Sequence, residues 1–271
     1  MSADAGRVIG RYRLLREVAR GDVAVVYLAQ DPQQNRQVAL KVLEVSPSMP
    51  KAAEMAQRFR REAAALARLA GHRHIAAMYD VGQAENVVYL AMEFIDGASL
   101  DRRLTGPLDP PLAARVAAAV ASALDAAHAA GILHRDVKPA NILIGRDGRI
   151  ALTDFALAAA LAEQGQLTKA GTVIGTPAYL APEIVRGGTA SAATDQYALA
   201  ALVYEMLSGQ QPFRGENAMA VLRAHVQDEP RPPSAVRRGL PPPVDAVVAR
   251  GLAKKPDQRF PNCAALATAL A

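Results

Sequence analysis

A cluster of polar residues between apolar runs, at positions 133–144, constrains this chain more than any other feature. Asp136, Lys138 and Asn141 stand within six positions, and the apolar run 142–144 follows directly. A hydrophobic core does not require a carboxylate, an ammonium and a carboxamide in so short a segment, because each is costly to bury without partners. The cluster therefore predicts a reactive site around which the rest of the chain is arranged.

The next segment predicts a hairpin that brings two oxygen ligands together. Residues 142–144 and 150–152 are short apolar runs joined by a turn with Asp-Gly at 147–148, which is a strong hairpin signal. Asn141 precedes the first strand and Asp154 follows the second, so antiparallel pairing makes them neighbours at the open end. Carboxylate and amide oxygens suit a Mg²⁺ ion that carries a phosphate.

The first hundred residues predict an antiparallel sheet that presents one lysine. Side chains alternate along a strand, so Ala39 and Lys41 share one face, and Val38, Leu40 and Val42 share the other. On its own, such a lysine is equally well a solvated surface residue. The expected strands are 12–18, 24–30, 38–43, 75–81 and 87–95.

A helix is predicted from Lys51 to Ala70, because the segment lacks Gly and Pro and is rich in Ala, Arg, Glu and Leu. Glu62 lies at the inward edge of its apolar stripe, from where it can reach towards Lys41. The alternative is an exposed ion pair between Glu62 and Arg58, worth only about 0.3–0.5 kcal/mol.

The remainder of the chain predicts a mainly helical second lobe, with helices at 112–130, 195–208, 218–227 and 244–253. The fold class is therefore α+β in one domain, 1–271. We expect an N-terminal lobe at about 1–95, with a five-stranded antiparallel sheet and one helix. A hinge at about 93–98 then leads into the helical C-terminal lobe, about 99–271.

The composition argues against several classes of protein. The net charge of +5 comes from 31 basic and 26 acidic residues without a block of like charges, so no nucleic-acid surface is predicted. The single cysteine, Cys263, cannot form an internal disulfide, which fits a reducing, cytoplasmic compartment. The apolar stretch 112–133 is interrupted by Arg115 and Asp125, so we expect a buried helix and no membrane segment.

Together these segments resemble a eukaryotic-type serine/threonine protein kinase of the kind found in bacteria. The resemblance implies a two-lobed protein-kinase-like fold and transfer of the γ-phosphoryl group of ATP to Ser/Thr hydroxyls of proteins. It covers about residues 12–270. The motifs that carry it, in the family's order, are Val38-Ala39-Leu40-Lys41, Glu62, His134-Arg135-Asp136 with Asn141, Asp154-Phe155, Ala181-Pro182-Glu183, Asp195 and Arg259.

The resemblance implies a catalytic role for four residues. Asp136 would orient the acceptor hydroxyl and accept its proton, and Lys138 would stabilise charge that develops on the transferring group. Lys41 would hold the α- and β-phosphates of ATP, with its direction fixed by Glu62.

The resemblance also implies the ligand-binding residues. Asn141 and Asp154 would bind Mg²⁺, with Mn²⁺ as an alternative, and Glu183 with Arg259 would form a buried structural ion pair. The ATP pocket would be formed by Val18, Gly21, Val26, Ala39, Lys41, Met92, Glu93, Ile95 and Leu143.

Regulation and partners are implied in the same way. Arg135 beside the base implies control by phosphorylation, with Thr168 and Thr172 as candidate autophosphorylation sites; the alternative is that both are solvated loop residues. The expected partners are protein substrates, phosphothreonine-reading proteins and a second copy paired through the N-terminal lobe. The family also includes chains that form the cytoplasmic part of a longer membrane-anchored protein.

The chain departs from the family pattern at the glycine-rich loop. The family has glycines where this chain has Ala19, Gly21 and Ala24, and Asp22 adds a negative charge. Glycine is expected there because it permits positive φ and close backbone approach. A Cβ at Ala24 should crowd the β-phosphate.

A second departure is Ala156, which replaces the glycine after Asp154-Phe155. We therefore expect a functional kinase that binds nucleotide weakly or turns over slowly. One alternative is a pseudokinase that acts as a nucleotide-binding or scaffolding module. Another is a small-molecule phosphotransferase, which the segment 175–183 disfavours because in the family it forms a platform for a peptide.

Overall fold

The computed structural model of this protein describes residues 6–21, 24–44, 67–84, 87–155 and 177–271. The chain forms two compact units, Met1–Asp96 and Gly97–Ala271. The helix predicted at 51–70 lies almost wholly outside the described residues, and its described end, Ala67–Leu69, is a 3-10 turn.

The first unit is built on an antiparallel sheet. The five predicted strands are confirmed, and a further short strand, β1, was missed because two residues are too few to show a period. The strand predicted at 75–81 begins only at Met78, since Ile75 closes a turn by donating its N–H to His72 O at 3.1 Å. The strands are β1 (Val8–Ile9), β2 (Tyr12–Arg20), β3 (Ala24–Asp31), β4 (Arg36–Glu44), β5 (Met78–Ala84) and β6 (Val87–Glu93), in the order β1-β2-β3-β4-β6-β5.

The register of this sheet assigns its two faces. Lys41 on β4 lies opposite Val26 on β3 and Leu90 on β6, and residues directly opposite in a ladder point to the same face. The other face packs an apolar cluster that includes Leu40 and Tyr89. The predicted alternation along β4, with Lys41 facing away from this cluster, is confirmed.

The second unit combines helices with a small antiparallel sheet. The predicted helices are confirmed with small shifts at their ends, and the hairpin at 142–152 is joined by a third strand that was not predicted. The strands are β7 (Gly97–Ser99), β8 (Ile142–Gly145) and β9 (Ile150–Leu152), in that order. The helices are α1 (Pro110–Ala129), α2 (Pro182–Val185), α3 (Ala192–Ser208), α4 (Ala218–Gln227), α5 (Pro233–Val236), α6 (Pro243–Gly251) and α7 (Cys263–Leu270).

Helix α3 forms the centre of this unit. It begins at a capping box between Ser191 and Thr194 and ends at Gly209, whose φ of 74° suits a residue without a Cβ. Nearly all of α3 is buried, including Asp195 in its first turn. The helix packs against α1, α6 and α7, so Asp195 is held in the interior.

Helix α1 is the one helix among the described residues that is long and apolar enough to cross a membrane. Its buried residues include Val116, Val120 and Leu124. It packs against α3, α7 and β9. These contacts are those of a helix in the core of its unit, as predicted.

Candidate active site

The segment before β8 brings together Asp136 and Lys138, two of the four predicted catalytic residues, and Asn141, a predicted metal ligand. Asn141 Nδ2 donates to the main-chain oxygen of Asp136 at 2.7 Å and to Asp136 Oδ2 at 2.9 Å. Lys138 Nζ lies 2.8 Å from the same Oδ2. Asp136 therefore lies between the ammonium and the carboxamide, and both contacts use the same carboxylate oxygen.

Asp195 fixes the backbone of this segment. Its Oδ2 accepts the His134 N–H at 2.9 Å, and its Oδ1 accepts the Arg135 N–H at 2.7 Å. His128 Nε2 donates to Oδ2 at 2.8 Å. Asp195 is only 1% exposed, and hydrogen bonds to a charged acceptor are the strong ones. Asp195 therefore positions the catalytic segment, a function that sequence reasoning did not assign to it.

His134 links the catalytic segment to the hairpin. Its Nε2 donates to Thr153 O at 2.9 Å, and its Nδ1 accepts the Asp136 N–H at 3.2 Å. One ring nitrogen donates and the other accepts, which assigns a neutral imidazole with its proton on Nε2. The ring also packs edge-on against Phe155, with centroids 4.5 Å apart. His134 therefore supports the site from the interior.

The hairpin brings Asn141 close to Asp154, as predicted. Ile142 pairs with Leu152, and the Thr153 N–H donates to Asn141 O at 2.9 Å, so Asp154 follows directly after the residue paired with Asn141. Asp154 has a φ of 68°. A non-glycine residue in the left-handed region costs about 1–3 kcal/mol, and such residues cluster at functional sites.

Four predicted nucleotide-pocket residues share one face of the first unit's sheet. Val26 pairs with Lys41, and Ala39 pairs with Met92. Positions 39 and 41 lie on the same face of β4 because they are two residues apart. The Lys41 side chain is buried, at 8% exposure. The register therefore supports a pocket on the face that carries the lysine.

The glycine-rich loop departs from expectation in its backbone. Among the described residues, positive φ at a non-glycine occurs only at Asn35, Arg135 and Asp154, so Ala19 and Ala24 have ordinary φ angles. Gly21 is also absent from the positive-φ glycines and donates its N–H to Ala24 O at 2.9 Å. The expectation that these positions need positive φ is wrong, and only the space taken by a Cβ remains as an argument.

Some of the remaining predicted residues are described by the structure, and the others lie outside the described residues. The Glu93 N–H donates to Ala77 O at 2.8 Å, and its carboxylate accepts the Ala77 N–H at 3.2 Å, so this N–H is used within the first unit. Val18, Ile95 and Leu143 are half-buried. Glu62, Asp22, Ala156, Thr168 and Thr172 lie outside the described residues.

The predicted ion pair between Glu183 and Arg259 is present, with Arg259 buried and Glu183 half-buried. Arg259 donates through two nitrogens to the two Glu183 oxygens, at 2.9 and 2.8 Å, and the Thr194 hydroxyl donates to Oε1 at 3.0 Å. Burial alone would raise the pKa of Glu183, but the hydrogen bonds from Arg259 and Thr194 lower it below its usual value. The pair joins α2 to the segment before α7.

Comparison with known proteins identifies the family. A family model described as the protein kinase domain matches residues 12–269. The serine/threonine-protein kinase PknH of Mycobacterium bovis is 40% identical over 97% of this chain and 44% of its own length. PknB of Mycolicibacterium smegmatis is 41% identical over 94% of this chain and 41% of its own length. This chain thus spans less than half the length of these curated relatives.

The solved structures agree with the sequence relatives. The crystal structure of the Mycobacterium tuberculosis PknI kinase domain is 32% identical, covers 98% of this chain and 96% of that chain, and has a TM-score of 0.79. The predicted kinase-like fold is confirmed. The comparisons support a serine/threonine protein kinase and do not favour the pseudokinase alternative.

Proposed function

The chain belongs to the protein kinase family, and we propose that it transfers the γ-phosphoryl group of Mg-ATP to serine and threonine hydroxyls of proteins. The observation that carries the proposal is the arrangement of Lys138 and Asn141 on one oxygen of Asp136. This arrangement combines a proton acceptor with a positive charge. Both are needed where a hydroxyl attacks a phosphoryl group.

Asp136 acts as the base in this proposal. Its Oδ2 is occupied by Lys138 and Asn141, so Oδ1 is the oxygen offered to the acceptor hydroxyl. Lys138 Nζ lies 2.8 Å from Asp136 Oδ2, and it would stabilise charge that develops on the transferring group. The Asp195 contacts to His134 and Arg135 hold the segment in place, which reduces the reorganisation needed during the reaction.

Asn141 and Asp154 are the proposed metal ligands. The two hydrogen bonds from Asn141 Nδ2 to Asp136 turn the other end of the amide, Oδ1, away from Asp136. Together with the Asp154 carboxylate this gives hard oxygen donors, which fit Mg²⁺ or Mn²⁺. When bound, such an ion neutralises phosphate charge.

The nucleotide pocket is proposed from the family and from the face assignment of the sheet. Lys41 would hold the α- and β-phosphates, and Glu62 would orient it. Val26, Ala39 and Met92 lie on the same face as Lys41. The complete proposed set adds Val18, Gly21, Glu93, Ile95 and Leu143.

Restoring glycine in the loop is expected to tighten ATP binding. The double variant Ala19→Gly/Ala24→Gly removes two Cβ atoms near the proposed phosphate path, and a relief of about 1 kcal/mol corresponds to roughly a fivefold lower Kd. Calorimetric titration with Mg-ATP measures this change. The matched control Ala84→Gly, at the end of β5, should leave the Kd unchanged, and equal affinities for wild type and double variant would contradict the steric explanation.

Regulation and partners are further proposals. Thr168 and Thr172 are the proposed autophosphorylation sites, with Arg135, which is exposed, available to pair with a phosphate. A cytoplasmic location, phosphothreonine-reading partners, pairing through the first unit and membership of a longer membrane-anchored protein are drawn from the family alone.

The acceptor class is tested by phosphoamino-acid analysis after incubation with γ-labelled ATP and a mixed protein substrate. The proposal predicts label on phosphoserine and phosphothreonine. Label confined to phosphotyrosine, or to small molecules with none on protein, would contradict it.

A further inference from the structure

We propose that Asp125, His128 and Cys263 form a binding site for a zinc-class divalent ion, separate from the catalytic segment. The three residues belong to α1 and to the first turn of α7. One ligand atom from each lies within 4.8 Å of the other two. A carboxylate oxygen, an imidazole nitrogen and a thiolate sulfur are the donors that zinc takes in proteins.

The ligand atoms of Asp125 and His128 lie slightly farther apart than they would around a bound zinc ion. His128 Nδ1 lies 4.0 Å from Asp125 Oδ1, beyond a hydrogen bond. Two ligands at zinc bond lengths in a tetrahedral arrangement lie about 3.3 Å apart. A side-chain adjustment of less than 1 Å is therefore sufficient for these two atoms.

The surroundings of the cluster resemble those of metal ligands. His128 Nε2 donates to Asp195 Oδ2 at 2.8 Å, which leaves Nδ1 facing Asp125. Metal-binding histidines commonly donate their other ring N–H to a carboxylate in this way. The Asp125 oxygens accept the N–H groups of Cys263 and Ala264 at 3.0 and 2.8 Å, which orients the carboxylate and leaves a further lone pair on each oxygen.

The cluster also has charge and space for an ion. Asp125 lies beside the buried Cys263 thiol, and Asp195 accepts a hydrogen bond from His128. The two carboxylates favour a cation, which would replace the thiol proton as that proton passes to solvent. Asp125, His128 and Cys263 line a cavity of about 310 Å³, which has room for a water molecule as fourth ligand.

Binding at this site would act on the catalytic segment through one shared residue. An ion on His128 Nδ1 fixes the ring proton on Nε2, the form that donates to Asp195. Asp195 in turn holds the His134 and Arg135 N–H groups. The site is thus connected to the catalytic segment by two consecutive hydrogen bonds.

Cobalt(II) is the probe for this site, because a thiolate ligand gives an intense charge-transfer absorption in the near ultraviolet. Cys263 is the only cysteine in the chain, so such a band reports this residue alone. We expect tag-free, EDTA-treated protein to develop a thiolate band on addition of Co²⁺, which Zn²⁺ then removes. Cys263→Ser should lack the band, and it and Asp125→Asn should weaken Zn²⁺ binding at least about tenfold.

The exposed Asp257→Asn is the matched control and should bind as wild type does. Circular dichroism checks that each variant is folded. If Cys263→Ser does not fold, the presence or absence of the thiolate band in Co²⁺-treated wild type still tests the proposal. Absence of a thiolate band at excess Co²⁺, or Zn²⁺ binding unchanged in a folded Cys263→Ser variant, would overturn the proposal and leave the cluster as a helix cap beside a core cysteine.

Discussion

Replacing Asp136 by asparagine is expected to lower the rate of phosphoryl transfer by about 10²–10⁴-fold, the contribution of a positioned general base. The amide is nearly the same shape as the carboxylate and can keep one contact with Asn141. It cannot accept the hydroxyl proton, and it leaves Lys138 without the carboxylate now 2.8 Å away. Single-turnover transfer from γ-labelled ATP to a protein substrate measures the loss.

Two comparisons separate a chemical effect from a structural one. The same change at Asp147, an exposed residue in the turn between β8 and β9, should leave the rate unchanged. Mg-ATP affinity and thermal unfolding of Asp136→Asn should stay close to wild type, because neither requires a proton acceptor. A variant that transfers phosphate as fast as wild type would show that Asp136 is not the base.

The largest loss of stability is expected from Arg259→Met. The change leaves the half-buried Glu183 carboxylate without its partner. Breaking a fully buried pair costs about 3–5 kcal/mol, so we expect a loss of about 3 kcal/mol here, a large share of the roughly 5–15 kcal/mol by which proteins are stable. Arg259 also donates to the main-chain oxygens of Ala193 and Ala253. Urea unfolding of wild type, Arg259→Met and the exposed control Arg238→Met gives the comparison, and the control should change by less than about 0.5 kcal/mol.

A double variant and a pH series test the same ion pair. Glu183→Gln/Arg259→Met should lose less free energy of unfolding than the two single losses added together, since the second change removes a charge already left unpaired. The folded-state pKa of Glu183 lies below its ordinary 4.5, so the pair's contribution is present above pH 4.5 and is lost as the pH falls below that value. Additive losses, or an acid dependence equal in wild type and double variant, would contradict this role.

Local patterns predicted the parts of the site that are close in sequence. The Asp-Gly turn and its apolar flanks were enough to pair Asn141 with the end of β9, because a tight hairpin has few registers. Alternation along β4 was enough to assign the face of Lys41. In both cases the backbone geometry of one short element decides the outcome.

Contacts between distant elements could not be predicted in this way. The Asp195 side chain holds backbone groups 60 and 61 residues earlier in the chain, and no periodic pattern encodes that distance. The family motif contained Asp195 but did not indicate its function. Its burial at the start of α3 shows that function, which is to hold the backbone of the catalytic segment. The loop at 19–24 was misjudged for a different reason: the family glycines suggested positive φ, whereas the ordinary φ angles at Ala19, Gly21 and Ala24 follow the strands that flank them.

The central claim, that this chain is an active serine/threonine protein kinase, is tested most directly by mass spectrometry of phosphatase-treated protein after incubation with Mg-ATP. Wild type and Asp136→Asn are compared at equal concentration. We predict phosphate on serine or threonine residues of the wild type, with Thr168 and Thr172 among them, and none on Asp136→Asn. Wild type that binds nucleotide yet gains no phosphate, or equal phosphorylation of both proteins, would contradict the claim.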